Sequence, residues 1–157
     1  MTTKHDQFWN IIAGIPACMV TTEDGDYIRA RPMAPFVNKD ARTIQFVTDD
    51  DSAKIEEMLL NRNLCLSFAD TKTMQFASVS GKARMTEDKQ LIKKLWGPYC
   101  DVFFPGGPDS VSVITLDASR AEYWDNDKNK LLLAFEVTKA YFGDHGPDLG
   151  ENAKLDL

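Results

Sequence analysis

The chain lacks an excess of basic residues. Its 18 lysines and arginines stand against 24 aspartates and glutamates, which leaves a formal net charge of −6. Proteins that bind nucleic acid or anionic membranes without further specificity are normally basic, so the composition argues against both partner classes. A local cluster of cations in such a chain is informative, because the bulk composition does not produce it.

Cysteine and histidine are scarce as well. Cys18, Cys65 and Cys100 form no C-x-x-C pair, and His5 and His145 lie near opposite ends of the chain. This pattern predicts reduced thiols and excludes a disulfide framework, and it offers no spacing suited to a zinc site. Nucleotide-binding glycine motifs and the G-x-S-x-G motif are also missing. We therefore predict neither a metal site nor a catalytic residue from these motifs.

Long apolar runs are missing too. No segment approaches the ~18 consecutive apolar residues that a membrane-spanning helix needs. The short apolar stretch at 11–20 is followed by acidic residues and lacks a signal-peptide cleavage site. We expect a soluble, cytoplasmic protein with no membrane partner.

Short alternating segments dominate what is present. Polar turns between them indicate an antiparallel meander, which commonly curls into a barrel so that few strand edges stay open. We predict one mainly β domain over 1–157, with a loosely held tail from about 144. The predicted strands are 17–22, 27–37, 43–49, 64–70, 73–86, 111–124 and 130–142, and the predicted helices are 3–13, 49–63 and 87–96.

The stretch "YIRARPMAPF" at 27–36 places two guanidinium groups close together. Alternate residues of a strand share a face, so Arg29, Arg31 and Met33 should point the same way. Ser52 and Lys54 fall in the first turn of a predicted helix, where backbone N–H groups favour phosphate. Lys54 taken alone is better explained as a solvated surface lysine. Together these cations predict a phosphate pocket.

Five segments in order resemble one family: "EDGDYIRARPMAPF", "TIQFVTDDDSAKIEEM", "FASVSGKARMTED", "LWGPYCDVFFPGGPDS" and "AEYWD". They cover about residues 15–125. The chain thus resembles the pyridoxamine-phosphate-oxidase-like, FMN-binding split-barrel proteins, in their general-stress-protein branch. The resemblance implies a six-stranded antiparallel split β-barrel and a homodimer with a flavin in each of two interface grooves. FMN is the implied cofactor, with FAD as the alternative.

The resemblance also implies roles for individual residues. It places Arg31 and its neighbours along the flavin, the end of the 43–49 strand beside the ring or ribityl chain, and the helix N-terminus on the phosphate. Phe76 stands where the oxidases usually carry a glutamine, and Trp124 matches an aromatic that contacts the flavin of the partner subunit. The implied flavin-binding set is Arg29, Arg31, Pro32, Met33, Ala34, Val47, Thr48, Ser52, Lys54, Phe76 and Trp124.

One departure from the family bears on activity. True pyridoxamine phosphate oxidases follow this tryptophan with an Arg-x-His motif, whereas Trp124 is followed by "DNDKNKLLL". Vitamin B6 oxidation is therefore not expected. Three hypotheses stay open: a flavin-dependent oxidoreductase acting with NAD(P)H or a small substrate, a non-catalytic flavin carrier or sensor in the stress response, and a flavin-free interaction module.

Overall fold

The computed structural model describes residues 1–50, 62–126, 137–143 and 150–157. Within these residues the chain forms short helices and a sheet of eight strands, and residues 137–142 are helical. In chain order, the elements are α1 (Lys4–Ala13), β1 (Cys18–Asp24), β2 (Tyr27–Met33), β3 (Phe36–Asn38), β4 (Thr43–Asp49), β5 (Asn63–Asp70), β6 (Gln75–Thr86), α2 (Lys89–Leu95), α3 (Pro98–Phe103), β7 (Val111–Asp125) and β8 (Glu151–Asp156).

The strands run antiparallel in the order β2-β1-β5-β6-β7-β4-β3. β7 is long enough to pair with two strands along one edge: β4 pairs with its residues 111–116 and β8 with its residues 120–125. The predicted mainly β, antiparallel class is confirmed. The strand count is eight in the described residues rather than the expected six.

Three segments differ from the sequence prediction. The tail is not loose at residues 151–156, which form β8, because Ala153 and Leu155 are buried against the main core. The predicted strand at 130–142 is wrong for residues 137–142, which are helical. The predicted strand at 27–37 divides into β2 and β3 at Pro35, which cannot donate a ladder hydrogen bond. The single-domain organisation over 1–157 stays a prediction.

Helix α1 begins at a capping box. The Thr3 hydroxyl accepts from the Asp6 N–H at 3.1 Å, and the Thr3 N–H donates to the Asp6 carboxylate at 3.1 Å. These bonds satisfy N–H groups that a helix start leaves without partners. The Thr3 hydroxyl and the Thr3 N–H, which both donate to the Asp6 carboxylate, hold the pKa of Asp6 below its ordinary value. The helix buries Phe8 and Ile12 completely in the main core, so the cap fixes where α1 sits on the sheet.

One side of the sheet packs against the main core, and we call it the inner face. A row of paired positions crosses five strands on this side, and all its side chains are buried: Val20, Leu66, Val79, Ala121 and Leu155. Phe46 and Tyr123 are fully buried in the same core. A smaller core lies on the opposite side of β4 and of the first half of β7, where α2 and α3 pack.

The opposite side of β2, β1, β5, β6, the second half of β7 and β8 is the outer face. One row of paired positions crosses all six strands and holds mostly small or polar side chains: Pro32, Met19, Ser67, Ser78, Glu122 and Lys154. At the bulge between Ser80 and Gly81 a Cβ on Gly81 would lie 2.2 Å from the Asp117 carbonyl oxygen, so only glycine fits. None of the described helices has the length and hydropathy that crossing a bilayer requires.

Candidate functional site

The two arginines of β2 lie on the inner face. Arg31 is paired with Val20 and Arg29 with Thr22, so both share the side of the sheet that carries core residues. Arg31 is half-buried, and its Nη1 donates to the hydroxyl of the buried Thr22 at 3.1 Å. This bond orients the guanidinium. The structure thus holds a directed cation at an edge strand of an acidic protein.

The rest of the "RPMA" segment divides between two sides. Met33 shares the face of Arg31 and packs against the main core, whereas Pro32 is exposed on the outer face opposite Met19. Ala34 is half-buried in the short connection to β3. The segment therefore combines a backbone whose φ is fixed at Pro32 with a small side chain at Ala34.

Val47 and Thr48 point to opposite sides of β4. The side chain of Val47 is buried in the smaller core and lines no open surface, so only its backbone could face a ligand. Thr48 is on the inner face, 1% exposed and paired with Ser112. Two residues beyond Thr48, the Asp50 N–H donates to the Ser110 carbonyl at 3.1 Å. The Ser112 hydroxyl donates to the Asp50 carboxylate.

Phe76 and Trp124 are directly opposite each other on β6 and β7. Both lie on the outer face, where Trp124 is 41% exposed and Phe76 is half-buried. Aromatic side chains at such a position offer a flat apolar surface on which a planar ring can stack. Phe76 has no hydrogen-bonding atom on its side chain, so any polar edge of a ligand there must find another partner.

The predicted phosphate residues Ser52 and Lys54 lie outside the described residues, as does most of the predicted helix at 49–63. Their roles stay predictions. The described neighbour Thr48 marks where the chain enters that segment, at the end of β4.

Sequence reasoning missed a buried hydrogen-bond cluster beside Trp124. The Asp125 carboxylate is 6% exposed and accepts from Gln7 Nε2 at 2.8 Å and from Gln75 Nε2 at 2.9 Å. The hydroxyl of the fully buried Tyr123 donates to Gln7 Oε1 at 3.3 Å. Burial and the nearby Glu151 raise the pKa of Tyr123 to about 12. This cluster ties α1 to the strand ends that carry Phe76 and Trp124.

No local pattern could have found that cluster. Gln7 and Gln75 lie 118 and 50 residues from Asp125 along the chain, and nothing about an isolated glutamine marks it as the partner of a distant carboxylate. Within the described part of the chain, no group of three or more histidine, cysteine, aspartate or glutamate side chains could hold a metal ion.

Two shallow cavities open on the outer face. One of about 420 Å³ is lined by Ser78, Arg120 and Lys154, among others, and one of about 370 Å³ by Ile28 and Cys65. Ser80 lines both cavities. The described chain therefore places an arginine pair on the inner face and an aromatic pair on the outer face of one sheet.

The chain matches a family model described as "Pyridoxamine 5'-phosphate oxidase like" over residues 3–148. It is also similar to the curated protein bli-3 of Neurospora crassa, with 29% identity over 124 residues, which is 71% of this chain. The match spans 59% of the length of that fungal protein.

Solved structures show the same fold. A candidate general stress protein 26 from Jannaschia sp. CCS1 matches with a TM-score of 0.78 at 20% identity, over 96% of each chain. The general stress FMN/FAD binding protein of Xanthomonas citri matches with a TM-score of 0.69 at 27% identity, over 78% of this chain and 89% of that one. These matches confirm the split-barrel type and the resemblance stated from the sequence.

Proposed function

Because the chain belongs to the pyridoxamine 5'-phosphate oxidase like family, we propose that it is a flavin-binding protein of the general-stress type. FMN is the proposed cofactor, and FAD is the alternative. The similar protein of Xanthomonas citri is described as an FMN/FAD binding protein, which supports a flavin without deciding between the two.

The observation that carries this proposal is the half-buried Arg31 held by Thr22. Its guanidinium is oriented before any ligand arrives, and Arg29 lies two residues away on the same face. Like charges on neighbouring same-face positions repel each other, and an anionic ligand group placed between them would relieve that repulsion. A flavin phosphate, or the electron-rich edge of its ring, supplies that negative charge.

The residues present fit a flavin in chemistry. Arg29, Arg31, Ser52 and Lys54 would meet the anionic parts, and Phe76 and Trp124 would give the ring an apolar platform. The backbone at 32–34 and 47–48 would line the remaining part of the flavin. A bound flavin supplies hydride and electron transfer by itself, so the protein need only bind, orient and shield it.

We propose that the working unit is a homodimer with the flavin at the subunit interface. The separation of the arginine pair from the aromatic pair on opposite faces of the sheet supports this arrangement. Trp124 would then reach the flavin of the second copy.

Within this proposal the protein is an oxidoreductase of undefined small substrate rather than a pyridoxamine phosphate oxidase. A non-catalytic flavin carrier or sensor is the second candidate, and Phe76 favours it, because a phenyl ring cannot hydrogen-bond the polar edge of a flavin. Flavin-loaded protein that oxidises NAD(P)H would support the enzyme. Protein that binds flavin and never reduces it would support the carrier.

A reducing compartment, the cytoplasm, completes the proposal. The three cysteines carry no disulfide, and Cys18 and Cys100 are buried. Burial raises the pKa of the Cys18 thiol to about 12, so this group stays protonated at neutral pH. Such thiols are typical of cytoplasmic proteins.

The arginine proposal is tested by flavin titration of the Arg31→Ala variant. A charge-assisted hydrogen bond contributes about 1.5–3 kcal/mol, so the variant should bind FMN about 10- to 150-fold more weakly. Arg31→Lys keeps the positive charge but lacks the planar guanidinium with its several donors. Its FMN affinity should lie between those of the unaltered chain and of Arg31→Ala. Flavin fluorescence on titration gives the affinities.

The matched control is Arg42→Ala, which removes an exposed arginine from the turn before β4. It should leave FMN affinity unchanged. If Arg31→Ala and Arg42→Ala bind FMN as tightly as the unaltered chain, Arg31 does not hold the flavin and the proposed site is wrong.

A further inference from the structure

A buried hydrogen-bond cluster lies directly behind Trp124, and we propose that it positions this side chain in the flavin site. Its members, which we call the Asp125 cluster, are Gln7, Gln75, Tyr123 and Asp125. One carboxylate oxygen of Asp125 accepts from Gln7 Nε2 at 2.8 Å, and the other accepts from Gln75 Nε2 at 2.9 Å. Gln7 lies on α1, Gln75 begins β6 and Asp125 ends β7. The carboxylate therefore joins three elements at one point.

Trp124 belongs to the terminal pair of the ladder between β6 and β7. The paired register of these strands begins with Phe76 opposite Trp124. Strand ends open more readily than strand centres, because fewer neighbours hold them. Gln75 and Asp125 are the next residues along the two strands, and their side chains bond to each other on the inner face. That bond closes this end of the ladder beside the aromatic pair.

Both amides of the cluster are used at each end. Gln7 Oε1 accepts from the Tyr123 hydroxyl at 3.3 Å, and Gln75 Oε1 accepts from the Thr73 hydroxyl at 3.0 Å. Each amide thus accepts through its oxygen and donates through its nitrogen, so turning either amide over would lose bonds. A network whose members are all hydrogen-bonded favours a single arrangement of side chains.

A buried carboxylate costs more free energy than an apolar side chain of similar size would at this position. Asp125 is 6% exposed and forms no ion pair with a described residue, so neutral amides offset its loss of water. What the hydrogen bonds add, and apolar packing does not, is a preferred direction. Direction matters at a surface on which a ring stacks, because the attraction between aromatic rings depends on their offset and tilt.

This inference deepens the proposed function and rests on it for the identity of the ring. Trp124 is 41% exposed on the outer face, whereas the next residue, Asp125, points to the inner face. Asp125 is therefore a positioning residue, which acts on the ring through Trp124 and not by contact. Because Gln7 lies on α1, the helix at the start of the described chain also contributes to the site.

A double-mutant cycle on FMN affinity tests the proposal with the full chain. Asp125→Asn keeps the shape but offers a single acceptor oxygen to two amide donors, so one bond is lost. Flavin fluorescence on titration should show FMN bound about 3- to 10-fold more weakly. Gln75→Met should have a smaller effect in the same direction, and it tests the proposal even where Asp125→Asn fails to fold. In a Trp124→Ala background neither substitution should weaken binding further, because the side chain through which the cluster acts is gone.

A second measurement needs no flavin. In chain labelled with fluorotryptophan, fluorine NMR reports on each of the three tryptophans, and the resonance missing from Trp124→Phe identifies Trp124. That resonance should shift in Asp125→Asn, whereas the resonance of Trp96 should not. The matched control, Asp40→Asn, removes an exposed carboxylate from the turn before β4 and should change neither the spectrum nor FMN affinity.

The outcomes separate this inference from the proposed function. Equal weakening of FMN binding with and without Trp124 would overturn the positioning role and leave the flavin site in place. An unshifted Trp124 resonance in Asp125→Asn would overturn it as well. An unaltered chain that binds no FMN would reject the proposed function, and the fluorine spectrum would then decide by itself whether Asp125 positions Trp124.

Discussion

The inner and outer faces of the sheet are built from the same strands and differ in almost every other respect. Along β7, Ala121 and Tyr123 are buried in the core, whereas Arg120 and Trp124 on alternate positions are exposed. The inner face is closed by α1 and by large apolar side chains. The outer face carries serines, charged side chains and exposed apolar side chains that include Met19, Ile28 and Trp124.

The two faces therefore have different roles: the inner face stabilises the fold, and the outer face is available for recognition. Burial of apolar area supplies most of the folding free energy, and that area lies on the inner face. Side chains on the outer face contribute little to the fold of one copy, so they can be chosen for a ligand or a partner. The arginine pair is the exception, because it lies on the inner side at an edge strand where the core ends.

The largest expected effect is a difference between the two faces in what a substitution does to the free energy of unfolding. Phe46→Ala on the inner face should lower the free energy of unfolding by about 3–5 kcal/mol, since it deletes a fully buried ring and leaves a cavity. Ser67→Ala on the outer face should change it by about 0.5 kcal/mol or less. Urea unfolding at a concentration that keeps one oligomeric state measures both. Equal losses for the two variants would remove the distinction between the faces.

A smaller effect concerns the thiols of the two faces. Cys18 is buried on the inner face, with its pKa raised to about 12 by burial, while Cys65 is half-buried on the outer face. In the folded protein Cys65 should react with an alkylating reagent at least about 100-fold faster than Cys18. Mass spectrometry after timed alkylation measures the ratio, and a Cys65→Ser variant confirms the assignment. Similar rates would mean that the inner face opens readily.

The same thiol carries a pH dependence. The pKa of Cys18 is higher in the folded state than its ordinary value of 9.0, so its contribution to stability is complete below pH 9.0. That contribution is lost as the pH rises from 9.0 towards about 12, because the unfolded chain gives up this proton first. Cys18→Ala should weaken the loss of stability over this alkaline range, which urea unfolding at several pH values measures. An unchanged pH dependence would contradict the prediction.

Features set by neighbouring residues were predictable from the sequence. The shared face of Arg29, Arg31 and Met33 follows from the two-residue period of a strand, and the α1 stripe follows from helical spacing. The family resemblance supplied the fold type and the residues to examine. Each of these inferences needed only a short window of sequence or an ordered set of such windows.

Features set by distant pairing were not predictable. β8 has few apolar residues, and only its pairing with β7 shows that Ala153 and Leu155 face the core. The Asp125 cluster joins residues far apart in the chain. A local pattern carries no information about such registers. The structure was also needed to show on which side of the sheet each candidate residue lies, because the sequence carries no information about strand registers.

The central claim is that two copies of this chain hold a flavin between them. Sedimentation velocity of the purified protein, loaded with FMN and freed of excess, tests it most directly when protein absorbance and the visible flavin band are recorded together. The account predicts that the flavin band sediments with a species of twice the chain mass. Flavin left at the meniscus while the protein sediments as a folded dimer would contradict the account.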